Sequence, residues 1–244
     1  MHRFYADPDL SDDKSFVLTQ EDTVHALKVL RMHTGDRAEV ISGGNRFLAE
    51  FGSTVSERTE LHPIELLPST EPHLSVTLFQ GIPKSDKMDW IVQKSTELGV
   101  VRIVPVSFSR CVVRLNAKEA QKKQERWQKI AREAGKQSGR CRIPEVLLPL
   151  SVKSMLDLFP SYDRVTVPWE DCPEGGPLAF VKRHPSLSSL GIVIGPEGGI
   201  APEEILSMTE AGGEPVTLGK RILRTETAGL AALSVFSALY GEME

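Results

Sequence analysis

The stretch GIVIGPEGGI, Gly191 to Ile200, sets an apolar run against a glycine turn. Ile192, Val193 and Ile194 read as a short strand buried on both faces, the pattern of a parallel sheet. The chain then passes through Gly195-Pro196-Glu197-Gly198-Gly199 and enters EEILSMTEAG, which has the spacing of a helix. Glycine lets a backbone approach a ligand closely, and it also supplies the positive φ of a tight turn. Taken alone, the turn is open to both readings.

Working outward, the same alternation recurs. LSVTLFQGI (Leu74 to Ile82) reads as a strand. SDKMDWIVQKSTELG reads as a helix capped by Ser85 or Asp86, packed through Met88, Ile91, Val92 and Leu98, and stopped by Gly99. VVRIVPV is the next strand. A basic helix from about Lys118 to Gly135 turns Trp127, Ile130, Ala131 and Ala134 inward. The segments YDRVTVPWE and EPVTLG are strands, and TETAGLAALSVFSALYG is the last helix. Strand and helix alternate over about 170 residues, which predicts an α/β fold with a mostly parallel sheet covered by helices.

The front of the chain differs. Arg37 to Phe51 reads as a hairpin turning at Gly43-Gly44-Asn45, and Glu21 to about Arg31 as a short helix with Val24, Leu27 and Leu30 on one face. LPSTEPHL (Leu67 to Leu74) is the best linker candidate. Two domains are therefore expected, at 1–70 and 74–244.

The composition narrows the function. With 40% apolar residues, 244 residues can build a packed core. No apolar run is long enough to span a membrane, and MHRFYADPDLSDDKSF does not read as a signal peptide, so a cytoplasmic location is expected. Cys111, Cys141 and Cys172 are too widely spaced to suggest a disulfide framework, and the six histidines have no metal-ligand spacing, so no metal is expected. Net charge is −4, yet Arg110 to Arg142 holds 11 basic residues against three acidic ones. Such a block is either a footprint for a polyanion or a solvated helix face.

Ligands of parallel sheets sit at the carboxyl ends of strands. Three strands here end in unusual loops: Val167-Pro168-Trp169-Glu170, Gly195 to Gly199, and Leu218 to Thr227. These are expected to form one pocket. There is no GxxxxGK[ST] and no GxGxxG opening a helix after an early strand, which argues against the two common nucleotide loops. Lys220, Arg221 and Arg224 precede the last helix, where cations oppose the macrodipole, so helix stability does not explain them. Ala228, Gly229, Ala231, Ala232 and Ser234 leave one end of that helix almost free of side chains.

IGPEGGI followed by LGKRILRTETAGLAAL resembles the carboxyl-terminal signature of the RsmE-type 16S rRNA methyltransferases, members of the SPOUT or α/β-knot class. The resemblance continues through GIPKSDKMDWIVQKSTELGV, SRCVVR, ERWQKIAREAGKQSGRCRIPEV and the front segment HALKVLRMHTGD. It thus covers nearly the whole chain. It implies a PUA-like β-barrel in front and a trefoil-knotted domain behind. It also implies S-adenosylmethionine as cofactor, a homodimer, and methylation of N3 of one uridine in small-subunit rRNA, free or assembled.

Carried onto this sequence, Ile194, Gly195, Pro196, Glu197, Gly198 and Gly199 would border the cofactor. Leu218, Gly219, Arg221, Ile222, Leu223, Thr225, Thr227 and Ala228 would wrap it. Val167, Pro168 and Trp169 would close the third side, although Trp169 reads equally well as core. Arg224 would stabilise the anionic uracil ring, and Glu226 is the candidate base. Arg31, Lys84, Arg110, Arg114, Lys122, Lys123, Lys129, Arg140 and Arg142 would contact RNA, chiefly its phosphates. Two rival readings stand beside this one: a SPOUT enzyme with another RNA target, and a non-catalytic RNA-binding assembly protein.

Overall fold

The computed structural model describes residues 1–7, 11, 14–172 and 175–243. They divide into two compact units, Met1–Glu71 with Gly135–Arg142, and Pro72–Ala134 with Ile143–Glu244.

The first unit is built on five strands: β1 (Arg3–Tyr5), β2 (Phe16–Val17), β3 (Arg37–Ser42), β4 (Asn45–Val55) and β5 (Arg58–Leu67), in the order β1-β3-β4-β5-β2. An antiparallel bridge between Ala6 and Leu18 joins the ends of the two outer strands, so the sheet curls back on itself. Phe4, Phe16, Leu18, Val40, Phe51 and Leu61 fill its interior. The hairpin turn is two residues long, shorter than the sequence suggests. Gly43 and Gly44 both have positive φ, and Asn45 already pairs with Ser42. The next turn, Ser56-Glu57, has the same left-handed backbone without glycine, which hid it from the sequence.

The helix expected over Glu21–Arg31 is two structures in series. Helix α1 (Gln20–Val24), capped by the Thr19 side chain, runs into a π-turn over His25–Val29. There Leu30 N–H donates to His25 O at 3.0 Å. The wider turn changes the phase of the apolar face. Thr23 and Ala26 are buried, while the expected Val24 and Leu27 are 42% and 37% exposed.

The second unit carries seven strands. They are β6 (Ser75–Gly81), β7 (Arg102–Ser107), β8 (Glu145–Val146), β9 (Leu150–Ser151), β10 (Arg164–Pro168), β11 (Ser189–Ile194) and β12 (Gly213–Val216). Their order is β12-β10-β11-β6-β7-β8, with β9 also on β7, and every pairing is parallel. Helices α2 (Lys87–Glu97), α3 (Ala117–Ser138), α4 (Val152–Leu156), α5 (Pro177–Arg183), α6 (Pro202–Glu210) and α7 (Thr225–Leu239) accompany it. Both faces are covered. Leu190, Ile192 and Ile194 pack with residues of α2, α3, α5 and α7, while Val193 packs with residues of α4 and α6. Each such side chain contributes roughly 1.5–3 kcal/mol through burial, which is why the central strands are apolar without alternation. Asp86 stands at the start of α2 as expected but makes no side-chain cap bond.

Candidate functional site

The connections after β10 and β12 meet at the carboxyl end of the sheet. They enclose a cavity of about 290 Å³ lined by Pro168, Trp169, Glu170, Thr217 to Leu223, and Ala228 at the start of α7. Gly219 has φ +103°, and a Cβ built there would meet nothing within 4 Å, so its main chain borders open space. Its N–H is held by the Thr217 hydroxyl at 3.1 Å, which sets the bend of the loop. Ile222 is 86% exposed. A large apolar side chain left bare beside a cavity is what a ligand would cover.

Eight residues expected at the cofactor border line this cavity: Pro168, Trp169, Leu218, Gly219, Arg221, Ile222, Leu223 and Ala228. Glu170, Thr217 and Lys220 also line it, without having been assigned to the ligand from sequence. The remaining expected residues lie elsewhere. Val167 and Ile194 are buried in the sheet. Thr227 is exposed and closes the first turn of α7 through its N–H to Arg224 O at 2.8 Å.

The glycine turn between β11 and α6 adjoins the cavity, and Gly195 to Gly199 are not among its lining residues. Two of its carbonyls are engaged by side chains from elsewhere in the unit. Gly195 O accepts the Thr225 hydroxyl at 2.6 Å. Gly198 O accepts Arg110 Nη1 at 3.2 Å. A Cβ on residue 81 would lie 2.5 Å from Pro196 N, so β6 and the turn touch backbone to backbone. Gly199, at φ +72°, faces Glu170: a Cβ there would stand 3.1 Å from Glu170 Oε1. Glu170 thus links this turn to the cavity wall.

Glu197 is engaged by the chain around it. Its carboxylate accepts the Lys84 N–H and lies 3.1 Å from Lys87 Nζ, while Lys87 is also 3.2 Å from Glu226 Oε2. Burial pushes the Glu197 carboxyl up, but hydrogen bonds from its own N–H, from Lys84 N–H and from Lys87 outweigh it and leave the pKa lowered. Hydrogen bonds to Glu197 and then to Glu226 raise that of Lys87. Lys87 went unremarked in the sequence, where it reads as one more polar residue in the first turn of α2. Glu226, the expected base, is therefore ion-paired and absent from the cavity lining.

Arg224 stands one residue beyond the cavity lining, at the N-cap of α7, exposed. No carboxylate among the described residues pairs with it, nor with Lys220 or Arg221. The basic block splits in two. Arg110 is bonded to the glycine turn, and Arg114 to the Phe108 and Ser109 carbonyls. Arg126 pairs with Asp89, which also accepts Trp127 Nε1–H at 3.1 Å. Arg140 is not part of a basic surface: it is 4% exposed and ion-paired with Glu71 at 2.5 Å. Lys122 and Lys129 are exposed and Lys123 half-buried, and none has an ion-pair partner among the described residues. Lys84, Arg31 and Arg142 are exposed, with Arg142 lying over the Gly44 turn in the first unit.

Residues 70–237 match the model of the RNA methyltransferase domain. The ribosomal RNA small subunit methyltransferase E of Bacillus subtilis is 38% identical, over 93% of this chain and 91% of its own length. That of Synechocystis is 31% identical, over 98% and 78%. The crystal structure of the Neisseria gonorrhoeae protein of the same name, bound to S-adenosyl methionine, superposes with a TM-score of 0.83 at 36% identity, covering both chains in full. The fold and site thus define an RNA methyltransferase. Within that class, the chain belongs to the ribosomal RNA small subunit methyltransferase E family.

Proposed function

We propose that this protein methylates N3 of one uridine in 16S rRNA, using S-adenosylmethionine, in the cytoplasm and as a homodimer. The observation that carries the reading is the cavity at the carboxyl ends of β10 and β12, in a chain that matches an RNA methyltransferase domain over residues 70–237. The cavity suits the donor. Trp169, Leu218, Ile222 and Leu223 offer apolar surface for a purine, Gly219 lets main chain approach it, and the Glu170 carboxylate suits a cation. The bound donor would supply a methyl group already activated on a sulfonium. What this chain contributes is alignment and charge. Leu218 to Leu223 hold the ligand, and Ile222 excludes water over it. Arg224 stabilises negative charge on the uracil ring as N3 loses its proton. Glu226, through Lys87, anchors the start of α7 to the glycine turn. Lys122, Lys123 and Lys129 hold RNA phosphates, with Arg31, Lys84 and Arg142 extending that contact.

The architecture goes with this reading. We take the second unit as a trefoil knot, supported by the return of the chain from the edge strand β12 to bond Gly195 and Gln80 through Thr225. The curled first unit acts as a PUA-like RNA module. Trp90 and Val235, 45% and 41% exposed on the packed pair α2 and α7, support a homodimer through this face.

The test is transfer of labelled methyl to small subunits lacking the modification, and in parallel to free rRNA, followed by nucleoside mass spectrometry. The reading expects 3-methyluridine at one site. Label on a ribose or on another base would overturn the target, and no transfer to either substrate would overturn the activity.

A further inference from the structure

Gln80 is a fully buried polar side chain near the end of β6, following Leu78 and Phe79. Its Nε2 donates to Thr225 Oγ1 at 2.8 Å and to Gly81 O at 3.0 Å. Thr225 in turn donates its only hydroxyl hydrogen to Gly195 O at 2.6 Å. The direction of the chain is fixed by its chemistry. A hydroxyl committed to a carbonyl can only accept from its other neighbour, so the amide nitrogen must face it. Both amide hydrogens are then engaged. Gln80 Oε1 is left without a protein donor among the described residues. It lies 3.2 Å from where a Cβ on Gly229 would stand, so α7 approaches this closely because residue 229 has no side chain.

We propose that Gln80 and Thr225 are positioning residues for the methyl donor, acting through the loop before α7 rather than by touching the ligand. Thr225 directly follows Leu223 and Arg224, a cavity wall and the unpaired cation. The hydroxyl of Thr225 is the point at which that loop is tied to β6 and to the end of β11. With that tie, Leu223 and Arg224 stand at a fixed distance from the walls made by the loop after β10. Without it, the buried amide of Gln80 keeps only Gly81 O, the carbonyl of Gly195 loses the Thr225 hydroxyl, and the start of α7 is free to move. Thr225 was expected among the cofactor contacts; its hydroxyl has no hydrogen left to offer a ligand.

This inference rests on the reading of the cavity as a donor site, so the experiment starts with the unaltered protein. Calorimetry with S-adenosylmethionine should show binding; if the parent shows none, the donor-site reading falls and takes this inference with it, whereas a parent that binds lets the variants test the tie alone. Given binding, Thr225→Val and Gln80→Leu should each weaken it by about tenfold to a hundredfold, the effect of losing one or two buried hydrogen bonds. Thr225→Ser, which keeps the hydroxyl, should bind within about threefold of the parent. Affinities of Thr225→Val and Gln80→Leu equal to the parent would overturn the proposal, as would a Thr225→Ser variant as weak as Thr225→Val. If the apolar variants do not fold, hydrogen exchange on the unaltered protein decides. Donor binding should slow the amides of Thr227 and Ala228 together with those of Ile194 and Gly195, as one unit. Protection confined to Leu218–Leu223 would overturn the tie.

Discussion

Two glycine-bearing connections leave β11 and β12, the strands on either side of β10, and they have opposite characters. In the turn Gly195 to Gly199, the carbonyls of Gly195 and Gly198, the Glu197 carboxylate and the main chain at Pro196 are all taken up by protein. In the loop Leu218 to Arg224, three cations have no ion-pair partner among the described residues, an isoleucine is bare, and Gly219 borders empty space. The comparison teaches what each glycine is for. In the first loop glycine lets protein backbones touch. In the second it keeps a side chain out of a cavity. Both uses need the missing Cβ, and a sequence cannot distinguish them, because the difference lies in what stands opposite.

The largest effect should come from the open loop. Arg224→Ala should lower the methyl-transfer rate by about a hundredfold to a thousandfold, as when an electrostatic stabiliser is removed, while donor affinity by calorimetry stays near the parent value. Unchanged turnover would give the open loop a binding role only. The next effect extends the contrast to the basic block, part of which is engaged and part free. Changing Lys122, Lys123 and Lys129 together to Glu should weaken RNA binding by about tenfold or more and flatten its dependence on log salt by up to about three units. An unchanged salt slope would make these lysines a solvated helix face. The closed turn should then answer in stability. Gly81→Ala places a methyl group 2.5 Å from Pro196 N, against backbone that cannot rotate away. It should destabilise by about 1–3 kcal/mol in denaturant unfolding. Gly219→Ala meets no atom but sits at φ +103°, where a side chain strains the backbone by about 1–3 kcal/mol; it should lower donor affinity as well as stability, whereas Gly81→Ala should act on stability. If the two glycine variants exchanged effects, the distinction between the loops would be wrong.

How much of this was legible in the sequence follows from the range of the interactions. The strands Ile192–Ile194 and Val165–Val167 were readable because burial on both faces leaves a local apolar run. The cavity loop was readable because cations before a helix N-terminus have no local explanation. Helix α5 was not read, being short and lying in a stretch with little pattern. The π-turn at His25–Val29 was not, because its register departs from the 3.6-residue period that the reading assumed. Lys87, Gln80 and the burial of Arg140 were missed for one reason. Their partners Glu226, Thr225 and Glu71 lie 139, 145 and 69 positions away, and only the fold brings them together. The basic block shows the cost of counting charge along a sequence: Arg126 and Arg140 add to the sum, but each is paired with a carboxylate.

The smallest effect concerns the ion pairs that hold the closed turn, and its sign can be worked out. The Glu197 carboxyl is lowered in the folded state, so its contribution to stability is present above the unfolded value, about 4.3, and is lost as pH falls through the folded one. Lys87 is raised, so its contribution is present below about 10.4 and is lost as pH rises through its folded value. Between about pH 5 and pH 10 the bridge from Glu197 through Lys87 to Glu226 should therefore add a constant increment. Lys87→Met removes both pairs. Melting temperatures of parent and variant should differ by a steady amount across that window and draw together in acid, as the Glu197 carboxylate protonates. Arg221→Met, in the open loop where no carboxylate pairs with the cation, should give a difference from the parent that does not converge in acid. Convergence for Arg221→Met, or none for Lys87→Met, would mean that charge does not separate the two loops, and the contrast between them would rest on packing alone.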